Sequence, residues 1–201
     1  GAGFETTRVM TFSVALPGAQ YAAEGRARRF FEELNARLAA HPGVTAAGAV
    51  SFLPLTGPAS ATSYQAEGQP VFEAGAMPVT EVRVISGDYF AAMGIPLKAG
   101  RLYNSDETRE ARRTIVISES MARQAFPGAD PIGRRIAVSW ADDEYDEVIG
   151  VVGDIRHAGL DEQPRPMIYW PHVRTPYTRM YPILRTTGDR AVIVASAPQG
   201  E

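Results

Sequence analysis

Three residues in the segment Glu147–His172 carry side chains that could do chemistry. Asp154, His157 and Asp161 lie within eight residues of one another. Carboxylates and imidazole are ligands that transition metals accept in proteins, and the same groups act as general acids and bases. The sequence therefore raises the hypothesis of a metal-binding or hydrolytic site that uses these three side chains.

The surrounding segment favours turns over a rigid site. Asp154 follows the apolar stretch VIGVVG (148–153), where a strand should end, and AGLDEQPRP (158–166) is rich in residues typical of turns. Aspartates in turns commonly accept backbone N–H groups. No second histidine lies nearby, and His41 and His172 could approach only through the fold. We therefore expect no metal ligand and no catalytic residue in this segment.

Other polar motifs also indicate structure more than catalysis. Ser118 stands where a strand pattern meets a helix pattern, but the G-x-S-x-G turn of a hydrolase nucleophile is absent, so Ser118 is predicted to cap a helix. The acidic loop 142–146 lacks the ligand spacing of an EF-hand and is expected to be solvated. No glycine-rich phosphate loop occurs. Packing on strands is the commoner role for the four neighbouring aromatic residues, Trp140, Tyr145, Tyr169 and Trp170.

Composition excludes several classes of function. The 201 residues are 45% hydrophobic and 21% charged, which suits a globular domain with a buried core. A formal net charge of −3 gives no reason to expect nucleic acid as a partner. With no cysteine, disulfides and zinc–thiolate sites are excluded. No stretch reaches the roughly 18 apolar residues of a membrane span, and a start without Met predicts a piece of a longer protein.

Hydrophobic periodicity predicts a β-α-β unit in the first fifty residues. Alternation in Arg8–Pro17 predicts one strand, and VTAAGAVSF (44–52) predicts a second. Between them, apolar residues recur every three or four positions and predict one amphipathic helix of about twenty residues, 20–40. We expect the buried face of this helix to contain four large side chains, Phe30, Phe31, Leu34 and Leu38.

The middle of the chain alternates short strand patterns with turns. Two short helices are predicted, at GDYFAAMG (87–94) and SESMARQAFPG (118–128). YPILR (181–185) then reads as a single clean strand. The strand patterns between these elements are TSYQAEGQ (62–69), TEVRVIS (80–86), RRTIVIS (112–118), RRIAVSW (134–140), DEVIGVVGDI (146–155) and RPMIYWPH (165–172). The order is β-α-β, a mixed β insertion, and β again.

Several phrases, in this order, resemble one known family. They are PGVTAAGAVSFLPLTG (42–57), VISGDYFAAMGIPLKAGRLYNSDE (84–107), IVISESMARQAFPGADPIGRRI (115–136) and VIGVVGDIRHAGLDEQPRPMIYWP (148–171). Together they resemble the MacB-type periplasmic core domain of MacB/FtsX-class ABC transporter permeases. The start, GFETTRVMTFSVALPGAQY (3–21), is similar to the second such domain of duplicated permeases. The resemblance extends from Gly3 to about Arg190.

The resemblance implies an α+β fold in two parts. A porter-like β-α-β subdomain would comprise residues 1–52 and 176–201, with its second half truncated. An inserted, mostly β subdomain with short helices would comprise residues 53–175. Strand 181–185 would return to the porter sheet, in which the first two strands would run parallel. In this family the phrase that contains Asp154, His157 and Asp161 would shape a strand–turn–strand.

The resemblance also implies a function without chemistry in this domain. It would be the extracytoplasmic, periplasmic domain of an inner-membrane permease, and it would transmit ATP-driven motion or contact substrate or partner proteins in export. It would have no enzyme activity, cofactor or metal. Its partners would be the flanking transmembrane helices, a cytoplasmic ATPase subunit and a periplasmic protein. The alternative left open is an extracytoplasmic metal-binding or hydrolytic enzyme that uses Asp154, His157 and Asp161.

Overall fold

The computed structural model describes residues 7–52, 60–73, 75–155 and 163–187. The helices in these residues are α1 (Gly18–Tyr21), α2 (Arg26–Ala39), α3 (Tyr89–Met93), α4 (Ser105–Glu110), α5 (Glu119–Ala125) and a 3-10 helix, η1 (His172–Arg174). The strands are β1 (Thr7–Thr11), β2 (Val14–Ala15), β3 (Val44–Val50), β4 (Ser60–Ala66), β5 (Val79–Gly87), β6 (Leu97–Gly100), β7 (Thr114–Ser118), β8 (Arg135–Val138), β9 (Tyr145–Val152), β10 (Met167–Pro171) and β11 (Arg179–Thr187).

The strands form one hydrogen-bonded sheet that closes on itself at one end. Its order is β1-β11-β3-β5-β10-β7-β9-β8-β4, and β4 also pairs with β5. The strands from β5 to β4 therefore make a closed ring, whereas β1, β11 and β3 extend from the ring as an open sheet. Strand β2 pairs with β11, and β6 pairs with β9. Strand β5 consequently belongs to both the ring and the open sheet.

The open sheet has the strand directions that the β-α-β pattern predicts. Strand β11 runs antiparallel to both β1 and β3, so β1 and β3 run parallel with β11 between them. Ile183 lies opposite Thr11 on one side and Gly48 on the other. The prediction that strand 181–185 pairs with the first two strands is therefore confirmed. The α+β fold class is confirmed as well.

Two elements near the start differ from the predicted pattern. The single strand expected over Arg8–Pro17 is divided into β1 and β2, although both parts pair with β11. The single helix expected over 20–40 is divided into α1 and α2, because Gly25 adopts a left-handed conformation with φ 73° at the N-cap of α2. Glycine takes up this conformation without a steric penalty, so it interrupts the helical pattern at little cost.

Helix α2 packs one face on β3, β5 and β11. Phe31 has no exposed surface, and Ala27 and Asn35 are also buried. Phe30 and Leu34, both predicted to be buried, are half-buried at the border of this face. The buried stripe is therefore centred on positions 27, 31 and 35. No helix of the described residues is long and apolar enough to cross a membrane.

The short helix α3 covers the opposite face of the open sheet. Tyr89 and Phe90 have 0% and 5% of their surface exposed, which confirms that this predicted two-turn element is anchored by its aromatic residues. Gly48 permits the contact, because a Cβ atom there would lie 2.4 Å from the backbone nitrogen of Tyr89. The guanidinium of Arg185 donates to the carbonyl oxygens of Ala91 and Ala92.

The interior of the ring is filled by alternating apolar side chains from its six strands. These residues belong to one buried cluster that also includes Phe31 and Ala49, from α2 and the open sheet. The core on the α2 side is thus continuous from the open sheet into the ring. The representatives of each ring strand in this cluster are Tyr64, Val82, Ile117, Ile136, Val148 and Ile168.

Candidate functional site

Asp154 has a structural role at the start of α5, a segment more than 30 residues earlier in the chain. Its Oδ1 accepts the backbone N–H of Ser120 at 2.9 Å, and its Oδ2 lies 3.2 Å from a guanidinium nitrogen of Arg123. The other two candidates, His157 and Asp161, lie outside the described residues. Within the described residues, no group of three His, Asp or Glu side chains could hold a metal ion.

The role of Asp154 leads to a first prediction. Asp154→Ala should lower the free energy of unfolding by about 1–2 kcal/mol, because the N–H of Ser120 loses its acceptor. Asp154→Asn keeps an acceptor oxygen and loses only the ion pair with Arg123, whose side chain is 65% exposed, so it should cost less. Urea unfolding of the two variants measures the difference.

Elemental analysis of the unmodified domain should find no zinc; stoichiometric zinc that is lost in His157→Ala would favour the metal-binding hypothesis instead.

Ser118 caps α5, as predicted. Its Oγ accepts the N–H of Met121 at 3.2 Å and the N–H of Met167 at 3.1 Å, and lies 3.0 Å from Oγ of Ser120. Ser118 is only 1% exposed. This hydroxyl therefore joins helix α5 to strand β10 and is enclosed by the backbone groups that it binds.

Arginine side chains pair with three carboxylates of the acidic loop. Arg113 pairs with Asp142, with Glu144 at 2.6 Å and, more distantly, with Asp146 at 3.6 Å. Arg174 approaches the buried Asp146 to 2.8 Å. Residues 142–145 of the loop are exposed, as the sequence predicts, whereas Asp146 is buried beside Arg174.

The neighbouring aromatic residues pack as the strand pattern predicts. Tyr169 and Trp170 are 0% and 2% exposed, and Trp140 meets Trp170 edge-on with ring centroids 5.5 Å apart. The guanidinium of Arg174 lies 3.7 Å from the centroid of the Trp170 ring. Tyr145 differs, because 39% of its surface is exposed. Tyr169 and Trp170 therefore belong to the core, and they do not form an open ligand-binding surface.

A different set of residues joins the open sheet to the ring, and β5 is at its centre. Strand β5 pairs with β3 through its last three residues, with β4 through its first four, and with β10 through residues 81–85. Ser51, just after β3, accepts the N–H of Val84 with its Oγ at 3.0 Å and donates its own N–H to the carbonyl of Val84 at 2.9 Å. Arg83 donates to the carbonyl of Phe52 at 2.6 Å. We call Ser51, Phe52, Arg83 and Val84 the junction.

Besides the junction, the contact of helix α2 with η1 is a second connection between the open sheet and the ring. The rings of Phe31 and His172 meet edge-on at 5.3 Å, and Nε2 of His172 lies 2.9 Å from the carbonyl oxygen of Tyr177. Burial lowers the pKa of His172, so the neutral imidazole is favoured. Nδ2 of Asn35 donates to Oγ of Ser86 at 2.9 Å. Sequence reasoning missed both Asn35 and His172, although Asn35 stands in register with Phe31 on the helix.

The family model of the MacB-like periplasmic core domain matches residues 3–201. The chain belongs to this family. It is therefore the periplasmic domain of a MacB-like ABC transporter permease, which lies on the extracytoplasmic side of the membrane. Membership implies membrane helices in the same permease and an ATPase as partner.

Solved structures of related domains share the fold of this MacB-like domain. The periplasmic region of MacB from Actinobacillus actinomycetemcomitans matches with a TM-score of 0.58 and 18% identity, over 92% of this chain and 77% of that chain. The extracellular domain of the noncanonic ABC-type transporter YknZ from Gram-positive bacteria matches with a TM-score of 0.54 and 16% identity, over 89% of this chain and 83% of that chain. A domain of a putative permease protein from Porphyromonas gingivalis matches with a TM-score of 0.50 and 19% identity, over 77% of this chain and 65% of that chain. A search among curated proteins finds no match.

Proposed function

We propose that this domain is non-catalytic and transmits ATP-driven motion from the membrane part of its permease to the periplasmic end of the domain. The observation that carries the proposal is the register of β1 with β11, in which Thr7 lies opposite Thr187. The two outermost described residues therefore lie side by side at one end of the open sheet. Two chain segments that continue from this end can be displaced together by the membrane helices of a permease.

The proposed path of the motion runs along the open sheet into the ring. Strands β11 and β3 lead away from the end marked by Thr7 and Thr187, and the junction connects β3 to β5. Because β5 also pairs with β4 and β10, a displacement of β3 acts on two strands of the ring at once. Close-packed cores transmit strain, and Phe31 and Trp170 belong to the same buried cluster.

The division into subdomains is part of the same proposal. A porter-like part, residues 1–52 and 176–201, would carry the connections to the membrane, and the inserted part, residues 53–175, would contact substrate or a periplasmic partner protein. Exposed apolar residues support such a contact surface on the inserted part. Val71 and Val79, before and at the start of β5, are 89% and 54% exposed. The roles of Asp154 and Ser118 in holding α5 support the non-catalytic part of the proposal.

The junction provides the test, in the whole permease with its ATPase reconstituted into vesicles. Ser51→Ala removes the hydroxyl that binds Val84, and we expect export to fall severalfold while ATP hydrolysis continues. Ser63→Ala is the matched control, because its hydroxyl binds only the exposed Ser139 at 3.0 Å, inside the inserted part. Export should be unchanged in the control.

Two measurements decide whether the domain transmits motion. A melting temperature for Ser51→Ala that stays well above the assay temperature shows that the domain is folded during transport; loss of one buried hydrogen bond costs roughly 1–3 kcal/mol. Unchanged export by the folded variant would overturn the role of the junction. Equal losses of export in Ser51→Ala and Ser63→Ala would do the same.

A further inference from the structure

An open cleft of about 650 Å³ lies at the start of helix α2. Its walls are the end of α1, the segment 22–25, the first turn of α2, the end of α4, and residues in and after η1. This volume falls within the range of small-molecule sites. The walls come from three regions that are distant along the chain, so no local motif in the sequence indicates the cleft.

Two guanidinium groups meet at this cleft over Gly25, the N-cap residue of α2. A Cβ atom placed on Gly25 would lie 3.0 Å from Nη1 of Arg29 and 3.9 Å from Nη2 of Arg28. Both side chains thus turn toward the same residue, which brings like charges together. A third arginine, Arg109 from α4, lines another wall of the cleft. An anion held among these groups would relieve their repulsion.

Two of the charged side chains that line the cleft have partners outside it. Nη1 of Arg28 lies 2.8 Å from each carboxylate oxygen of Glu32. Glu110 pairs with Arg112 at 2.8 Å. Because Glu32 engages only Nη1 of Arg28, the Nη2 group over Gly25 remains for a ligand.

The remaining charges of the cleft favour an anion. Arg29 and Arg109 are exposed, and neither makes an ion pair or a side-chain hydrogen bond within the residues that the structure describes. Glu24 is exposed as well and makes no ion pair among those residues, so two guanidinium groups stand against one carboxylate. The first turn of α2 has no acidic residue and no side-chain cap, so the positive end of its dipole adds to this potential.

Mostly apolar side chains line the rest of the cleft. Tyr21 is half-buried, and its ring meets that of Phe30 edge-on with centroids 5.7 Å apart. Thr178 adds one hydroxyl to the lining. The other uncharged side chains of the walls are Ala22, Ala23, Ala27, Ala111, Val173 and Pro176. A small ring or a short alkyl group can therefore lie beside the arginines.

We infer that this cleft binds a soluble phosphate monoester of a small apolar group. A phosphate group presents three acceptor oxygens in different directions, which suits guanidinium groups that converge from separate residues. A carboxylate has its acceptors in one plane and carries a single charge, so it should bind more weakly. The apolar group of the ester would lie against Tyr21 and Pro176. The site shares no residue with the junction, so its failure and a failure of motion transmission are separate results.

The position of the cleft favours a soluble ester over a lipid headgroup. Helix α2 leads from the cleft toward Gly43, whose carbonyl accepts the N–H of Thr187. The 14 residues of α2 span about 20 Å. If the end of the open sheet at Thr187 faces the membrane, as proposed above, the headgroups of the bilayer lie at least this far from the cleft.

The test is a titration of the purified domain with phenyl phosphate, followed by NMR shifts of backbone amides. We expect saturable shifts at Gly25, Ala27 and Val173 with a dissociation constant on the order of 1 mM, as suits a ligand of about eleven heavy atoms. Benzoate and inorganic phosphate should each bind severalfold more weakly, because one lacks the phosphate and the other lacks the apolar group. Phenyltrimethylammonium, a cation of similar size, should give no saturable shift at these residues.

Three variants locate the binding. Arg29→Gln removes one guanidinium, and affinity for phenyl phosphate should fall roughly tenfold with loss of a charge-assisted hydrogen bond. Arg37→Gln is the matched control, because Arg37 lies in the last turn of the same helix with 77% of its side chain exposed, and it should leave affinity unchanged. Glu24→Gln removes the competing carboxylate and should raise affinity severalfold, a gain that loss of folding cannot produce.

Sedimentation with vesicles of phosphatidylcholine and phosphatidic acid distinguishes a lipid headgroup from a soluble ester, and the domain should stay in the supernatant. The inference is overturned if phenyl phosphate gives no saturable shift, or if benzoate or inorganic phosphate binds as tightly as phenyl phosphate. Equal losses of affinity in Arg29→Gln and Arg37→Gln, no gain in Glu24→Gln, or binding to the vesicles alone would also overturn it.

Discussion

Arg174→Leu is expected to lower the free energy of unfolding by about 3–5 kcal/mol, because it leaves the buried carboxylate of Asp146 without its nearest cation. Side-chain exposure is 8% for Arg174 and 1% for Asp146, and the two groups are 2.8 Å apart, without the alignment of a good hydrogen bond. Arg113 is the next cation, at 3.6 Å. The variant also removes the guanidinium that stacks on Trp170. Both losses destabilise the ring where η1 packs on it.

The effect should depend on pH in a direction that the structure defines. Burial raises the pKa of Asp146 above its ordinary value, although Arg174 opposes this rise. Removal of Arg174 raises the pKa of Asp146 further. Because the pKa of Asp146 is higher in the folded state than in the unfolded state, protonation of Asp146 favours folding. This contribution to the free energy of unfolding is fully present below the unfolded-state pKa of Asp146, about 3.9, and is lost as the pH rises through the folded-state pKa. Arg174→Leu should therefore cost more at neutral pH than near pH 4.

Chemical unfolding at the two pH values measures this difference, and a double variant is the control. Arg174→Leu with Asp146→Leu removes both charges and should recover most of the lost stability, since paired apolar residues often replace a buried ion pair without penalty. Asp142→Asn breaks a pair on the exposed side of Arg113 and should cost less than about 1 kcal/mol. A cost of Arg174→Leu that is independent of pH, or no recovery in the double variant, would mean that stacking on Trp170 is the main effect.

Elements with strong local signals could be predicted from the sequence. Ser118 begins α5 by accepting an N–H within its own helix, and Gly94 ends α3 with φ 69°. Helix α4, which was not predicted, has an equally local signal. Oδ1 of Asn104 accepts the N–H groups of Asp106 and Glu107, and the carboxylate of Glu107 accepts the N–H of Asn104. The sequence N-x-x-E is the pattern of a capping box, so this helix was predictable.

The closure of the ring and the docking of η1 on α2 could not be predicted, because both depend on contacts between distant segments. The pairing of β4 with β5 closes the ring. The strand patterns of these two segments predict strands but do not indicate which strands pair with each other. The rings of Phe31 and His172, which are 141 positions apart, meet only because η1 packs against α2. The role of Asp154 also depends on such a contact: turn chemistry predicts that its carboxylate accepts a backbone N–H, but the N–H that it accepts belongs to Ser120, 34 residues earlier in the chain.

Phe31→Ala is expected to lower the free energy of unfolding by about 3–5 kcal/mol, as truncation of a fully buried aromatic residue does. Phe31 lies between the open sheet and η1, and its ring contacts both Phe30 and His172 edge-on. The alanine variant leaves a cavity where α2, β3 and η1 meet. It should therefore loosen both connections of α2 to the rest of the domain.

Two further substitutions on α2 give the scale of this effect. Leu34→Ala removes a half-buried side chain and should cost about 1–2 kcal/mol, because less apolar surface returns to water. Glu33→Ala, whose side chain is 65% exposed and pairs only with Arg37, should cost under about 0.5 kcal/mol. Urea unfolding should rank the three variants in this order. Similar costs for Phe31→Ala and Glu33→Ala would mean that α2 is not docked on the sheet. Helix α2 would then not connect the core of the open sheet to the core of the ring.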